Sequence, residues 1–160
     1  VSEDWEKALI DFYVKYKEMH TVYIQPFVGI RELITELKKN SIIVSLITGK
    51  GQRSCDITLH HFEMEALFDS ISIGSPDRNT KAESMAKLMS KYNIQPSEMV
   101  YVGDEFSDIT ACLKVGIRCL SAAWIAPLSK MKKLEKENQG YVFSSIKSLH
   151  SFLKKEANLV

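Results

Sequence analysis

The sequence predicts an α/β fold built on a parallel sheet, and three observations predict it. Amphipathic helical stripes alternate with short, β-branched apolar runs along nearly the whole chain. Two of those runs, Ser41-Ile-Ile-Val-Ser-Leu-Ile47 and Met99-Val-Tyr-Val102, are apolar on both faces, as strands covered by helices on either side must be. Each stops abruptly in a polar, glycine-containing turn, Thr48-Gly49-Lys50-Gly51 and Gly103-Asp104. A three-layer, Rossmann-like arrangement follows, with polar strand ends gathered on one rim, where ligands of open α/β sheets bind.

Composition narrows the function classes. At 160 residues the chain has the size of one domain, able to bury about two thirds of its unfolded surface. Hydrophobic residues at 45% and charged ones at 26% are ordinary globular values, which argues against disorder or a fibrous architecture. With 21 basic and 20 acidic residues the formal charge is +1, so neither nucleic acid nor an anionic membrane is an expected partner. The basic cluster Lys130, Lys132, Lys133 and Lys136, interleaved with Glu135 and Glu137, is expected to be a solvated helix face. Cys55, Cys112 and Cys119 are odd in number and lack C-x-x-C spacing, which fits a reducing, cytoplasmic location rather than a disulfide framework or a zinc site. No apolar run approaches the ~18 residues of a membrane span, and no signal peptide is expected. The first residue is Val1, which points either to processing or to a longer parent.

From Ser2 to His20, Trp5, Ala8, Leu9, Phe12, Tyr16 and Met19 recur at helical spacing, and this aromatic face wants a partner, either the domain itself or sequence outside these residues. Thr21 to Phe27 is expected to be an extended connector ending near Pro26. Residues 28–39 form the next helix, with Ile30, Leu33, Ile34 and Leu37 inward and Asn40 ending it. The strand 41–47 follows, then a helix from Gln52 to Phe62, whose adjacent His60 and His61 point different ways and share no metal. A strand at 70–73, a loop at 74–79, a helix from Lys81 and a turn at 93–97 lead to the strand 99–102. A short helix follows Asp108 and stops at Gly116. A strand at 117–120, a charged helix at 128–138, an edge strand at 141–143 and a closing helix through Ile146, Leu149, Phe152 and Leu153 complete the chain.

Three strand ends carry chemistry. Asp104 closes the 99–102 strand and Asp108 lies four residues on, one helical turn if a helix opens near Ser107. Two carboxylates converging there suit a hard dication such as Mg²⁺. Seen alone, the pair is equally a turn aspartate and a helix cap. Thr48 can offer its hydroxyl, and Gly49 its N–H, to a phosphate oxygen, although a simple strand-to-helix turn has the same sequence and the spacing is not that of a P-loop. Lys81 places positive charge at a helix amino end, where the dipole opposes it, so a nearby anion would explain it; a solvent-reaching lysine is the bland alternative.

These segments resemble the haloacid dehalogenase superfamily of phosphatases over residues 3–153. Tyr101-Val-Gly-Asp-Glu-Phe-Ser-Asp-Ile109, with Lys114-Val-Gly-Ile117, is similar to the acidic motif. Leu46-Ile-Thr-Gly-Lys50 is similar to the second motif, and Lys81 to the third. Pro26-Phe-Val-Gly-Ile30 is similar to the family's Pro-Gly-Val helix start, with Phe27 inserted. The resemblance implies Mg²⁺-dependent hydrolysis of a small phosphorylated metabolite, phosphoglycolate-like by default, through an aspartyl-phosphate. It also implies roles for Asp104 and Asp108 at the metal, for Thr48 and Gly49 at the phosphoryl oxygens, and for Lys81 at both phosphate and nucleophile.

The family's Asp-x-Asp nucleophile motif is absent from all 160 residues. The resemblance places residues 1–24 as the terminal helix of a mobile cap or hinge and 25–160 as the core, with the first strand missing from between the strands ending at Thr48 and Asp104. Those two strands should then re-pair directly or borrow a third, since buried backbone needs partners. The chain is therefore expected to be inactive as it stands. The alternative is a non-catalytic phosphate- or partner-binding relative, and the aromatic first helix is the surface expected to support a homodimer.

Overall fold

The computed structural model describes residues 3–157, so the expected helix start at Ser2 and the last three residues lie outside it. The chain is an α/β protein that divides into two compact units, Val1–Asp77 and Arg78–Val160, and each carries its own parallel ladder.

In the first unit, α1 (Glu3–Tyr23) continues through Thr21, where an extended connector was expected. The Thr21 hydroxyl donates back to the Lys17 and Glu18 carbonyls at 2.9 and 3.1 Å, and the Ile24 N–H reaches the His20 carbonyl at 3.1 Å, so the last turn is closed. Of the anticipated stripe, Trp5, Leu9, Phe12 and Met19 stay exposed; the half-buried Tyr16 and buried His20 meet α3 (Gln52–Phe62) instead. Next, α2 (Ile30–Lys39) starts after Gly29, whose φ of 91° suits a residue without Cβ, and ends on Asn40.

The strand β1 (Ser45–Ile47) is shorter than the apolar run predicts. Ile42 N–H is used by the Leu37 carbonyl, closing the end of α2, and Val44 N–H donates to the Asp69 carboxylate at 2.8 Å. The four residues before Ser45 are thus spent on a turn and a side-chain bond, and the run is not buried on both faces: Ile43 is exposed. The ladder pairs Ser45, Leu46 and Ile47 with Ser70, Ile71 and Ser72 of β2 (Ser70–Ser72). Leu46 packs with Val44, Phe68 and Ile30 against a core of Ile34, Cys55, Leu59 and Met64.

In the second unit, α4 (Lys81–Tyr92) leads through a left-handed Asn93 to β3 (Val100–Gly103), then α5 (Phe106–Val115), β4 (Arg118–Ala122), α6 (Leu128–Glu137), β5 (Val142–Phe143) and α7 (Ile146–Glu156). β4 is central, paired in parallel with β3 on one side and β5 on the other. Met85, Ile109, Cys112, Leu120, Leu134 and Leu149 fill the core. Val100 and Val102 are each about 40% exposed, so β3 is buried on one face rather than on both. The two strands expected to re-pair, β1 and β3, each ladder only within their own unit among the described residues. All three cysteines are buried free thiols.

Candidate functional site

In the second unit Gly103 ends β3, Asp104 and Glu105 form the turn, and α5 opens at Phe106. Asp108, in the first turn of α5, is fully buried and both its oxygens are engaged. Oδ2 accepts the Glu105 N–H at 2.9 Å and Oδ1 pairs with the Lys81 ammonium. The carboxylate therefore does two things: it caps the helix and it receives a cation from another element. Gly103 makes room for it, since a Cβ there would lie 2.6 Å from the Asp108 carboxyl carbon and 2.7 Å from Tyr101 Cε1. The Tyr101 phenol is pushed up by burial first and then by the neighbouring Asp108 charge, so it stays protonated.

Lys81 sits where α4 begins, its N–H capped by the Asn79 side chain at 3.0 Å, and its side chain is about one fifth exposed. Its charge at a helix amino end is offset by Asp108. Asp104 is 60% exposed at the strand end. Lys130, from the first turn of α6, donates to Glu105 Oε1 at 2.6 Å and stands 3.7 Å from Asp104 Oδ2. That contact holds the Glu105 carboxyl below, and raises the Lys130 amine above, their ordinary ranges. Lys130 is thus not part of the solvated face expected for its cluster, whereas Lys132, Lys133 and Lys136 are exposed. Its inward position could have been found from the period: Leu134, four residues on, is fully buried on the same helix face.

The first unit holds Thr48 and Gly49. Thr48 N–H joins the ladder through the Ser72 carbonyl at 3.0 Å, and its Oγ1 accepts the Lys50 N–H at 3.1 Å, which leaves the hydroxyl proton to donate outward. The turn is closed by Gly74 N–H on the Lys50 carbonyl at 2.9 Å. Lys50 is the second residue that spacing alone passed over. Its ammonium donates to the Tyr16 hydroxyl at 2.6 Å, Tyr16 lies 3.4 Å from Thr58 Oγ1, and Thr58 lies 3.0 Å from His20 Nε2. This chain of polar contacts ties α1 to the Thr48 turn. Burial, then the Lys50 and His61 charges, lower the His20 pKa.

The structure therefore brings Lys81, Asp108 and the Asp104 turn together in one unit, and it sets Thr48 and Gly49 in the turn of the other. Among the described residues no three His, Cys, Asp or Glu side chains converge on a common point that could hold a metal ion, and no helix is long and apolar enough to cross a membrane.

The chain is similar to a phosphoglycolate phosphatase from Synechococcus elongatus, 25% identical over 101 residues that cover 63% of this chain and 47% of that protein. It is likewise similar to the tyrosine-protein kinase PtkA of Mycobacterium tuberculosis, 25% identical over 78% of this chain and 43% of the relative. The chain thus spans about half the length of the curated relatives it matches. Among solved structures, a haloacid dehalogenase-like family hydrolase from Streptococcus pneumoniae superimposes with a TM-score of 0.73 at 21% identity, covering 96% of this chain and 72% of that one; this shows a shared fold. Residues 1–122, three quarters of the sequence, match the haloacid dehalogenase-like hydrolase family, and the chain belongs to it.

Proposed function

We propose that this chain forms the phosphoryl- and Mg²⁺-handling part of a phosphomonoester hydrolase for small phosphorylated metabolites. The carrying observation is the Lys81–Asp108 pair at the foot of the Asp104 turn: a buried carboxylate fixes an ammonium while the neighbouring strand-end carboxylate is left exposed. That is an economical arrangement for meeting an anion and a dication side by side. Similarity to proteins named as phosphoglycolate phosphatases supports a small phosphomonoester as substrate.

The residues fit the metal. Mg²⁺ takes one or two protein carboxylates and fills its remaining positions with water and phosphate oxygens, so it does not need three protein ligands. Asp104 offers accessible hard oxygens, with Lys130 outside hydrogen-bond range at 3.7 Å, and Asp108 supports the turn through Glu105. Bound there, Mg²⁺ would neutralise phosphoryl oxygen charge. In this reading the Thr48 hydroxyl and Gly49 N–H of the first unit are donors suited to phosphoryl oxygens, and in the second unit Lys81, held by Asp108, is a cation suited to offset phosphoryl charge. α1 would be the last helix of a cap, tied to the phosphoryl turn through Tyr16 and Lys50.

Because no Asp-x-Asp occurs in the 160 residues, we propose that this chain binds phosphate without turning over. The test is hydrolysis of p-nitrophenyl phosphate with Mg²⁺ by the full chain. Background rates are expected; robust turnover abolished by Asp104→Ala would refute the missing-nucleophile reading.

A second reading, a non-catalytic partner-binding domain, is favoured by the exposed Trp5, Leu9, Phe12 and Met19 on α1. Sedimentation of wild type against Trp5→Ser separates the readings, since a homodimer lost on substitution supports the second.

A further inference from the structure

We infer that Lys130 is a tethered counter-ion for the strand-end carboxylates, a positioning residue that contests Asp104 with a divalent cation and so sets how tightly one is held. The inference rests on the metal reading of Asp104 and goes beyond it by assigning control of affinity to a residue on another helix. Four observations support it. First, Lys130 lies in the first turn of α6, where the helix dipole disfavours a cation, so tertiary partners must account for its position. Second, Leu134, fully buried one turn later, holds that helix face inward. Third, the Lys130 side chain is three quarters buried, whereas Lys132, Lys133 and Lys136 are exposed. Fourth, it is shared unequally, at 2.6 Å from Glu105 and 3.7 Å from Asp104.

The inequality matters. Glu105 keeps the ammonium beside Asp104 without closing on it, so the Asp104 oxygens remain available but carry a fixed positive neighbour. A dication on Asp104 would feel that charge at short range and displace it toward Glu105, its stronger partner. Lys130 thus stabilises the two adjacent carboxylates in the metal-free chain and weakens the metal-bound one. Salt should blunt the effect, because the group is partly solvated.

The experiment is titration of the full chain with MnCl₂ by calorimetry, with Mn²⁺ electron paramagnetic resonance as a second readout. It compares wild type, Lys130→Gln, Lys130→Arg and Asp104→Asn at low and high salt, each first shown to melt cooperatively. Lys130→Gln is expected to bind about tenfold tighter than wild type, with the gap narrowing in high salt. Lys130→Arg should stay near wild type, which a loss of packing would not produce. Should Lys130→Gln fail to fold, Lys130→Ala makes the same comparison. Equal or weaker binding by the uncharged variant overturns the inference. If wild type and Lys130→Gln bind equally and Asp104→Asn abolishes binding, the inference alone fails; if neither binds Mn²⁺, the metal reading of Asp104 falls with it.

Discussion

The Lys81 ammonium and the Asp108 carboxylate, 27 residues apart in sequence, form one ion pair joining the start of α4 to the first turn of α5. Because Asp108 is 1% exposed, its charge depends on that partner and on the Glu105 N–H. Asp108→Ala is expected to lower stability by about 3 kcal/mol, since it removes the partner of a mostly buried lysine side chain and a helix cap. Lys81→Met, which leaves the buried carboxylate with the Glu105 N–H alone, is also expected to lower stability. Urea unfolding followed by circular dichroism measures both.

Gly74 lies against the Thr48 turn with no room for a side chain: a Cβ would come within 2.5 Å of the Gly49 carbonyl oxygen and 2.8 Å of its Cα. The obstruction is backbone and cannot rotate away. Gly74→Ala should therefore destabilise the chain by about 1–3 kcal/mol and weaken phosphate binding through displacement of Gly49. Isothermal titration with inorganic phosphate, beside a thermal melt, reads both effects.

His20 supplies a pH dependence with a definite sign. Its folded pKa is lowered from 6.5, by burial first and then by the Lys50 and His61 charges, so the unfolded chain binds the proton more readily. The corresponding stability is fully present above about pH 6.5 and is lost as pH falls toward the folded pKa. Melting temperature is thus expected to drop on acidification from pH 8 to pH 5, and His20→Phe should flatten that part of the profile.

Periodicity disclosed the helices well because their boundaries rest on local signals: Asn40 and Gly116 stop α2 and α5, and α3 spans residues 52–62 as expected. The strands were less legible. The run 41–47 has strong β composition, yet Asp69 captures the Val44 amide and the ladder starts only at Ser45, a competition settled by a residue 25 positions away. Composition implies burial on both faces of β3, but it does not reveal whether a neighbour covers Val100 and Val102, which are exposed. At the site, Asp104 and Asp108 stand out because their spacing after a strand end turns two carboxylates toward one point, and Lys81 because a cation at a helix amino end opposes the dipole. Lys130 was hidden in a basic cluster because its meaning lies in Glu105 and Asp104, which no local pattern connects to it.

The Lys81–Asp104–Asp108 group of the second unit is proposed to meet a phosphoryl group beside Mg²⁺. A ¹H–¹⁵N correlation titration of the chain with inorganic phosphate in the presence of Mg²⁺ tests this. The amides of Lys81, Asp104 and Glu105 are expected to shift together along a single saturation curve in wild type and to stay in place in Asp104→Asn. Amides that do not move in wild type, or that shift equally in Asp104→Asn, would overturn the proposal.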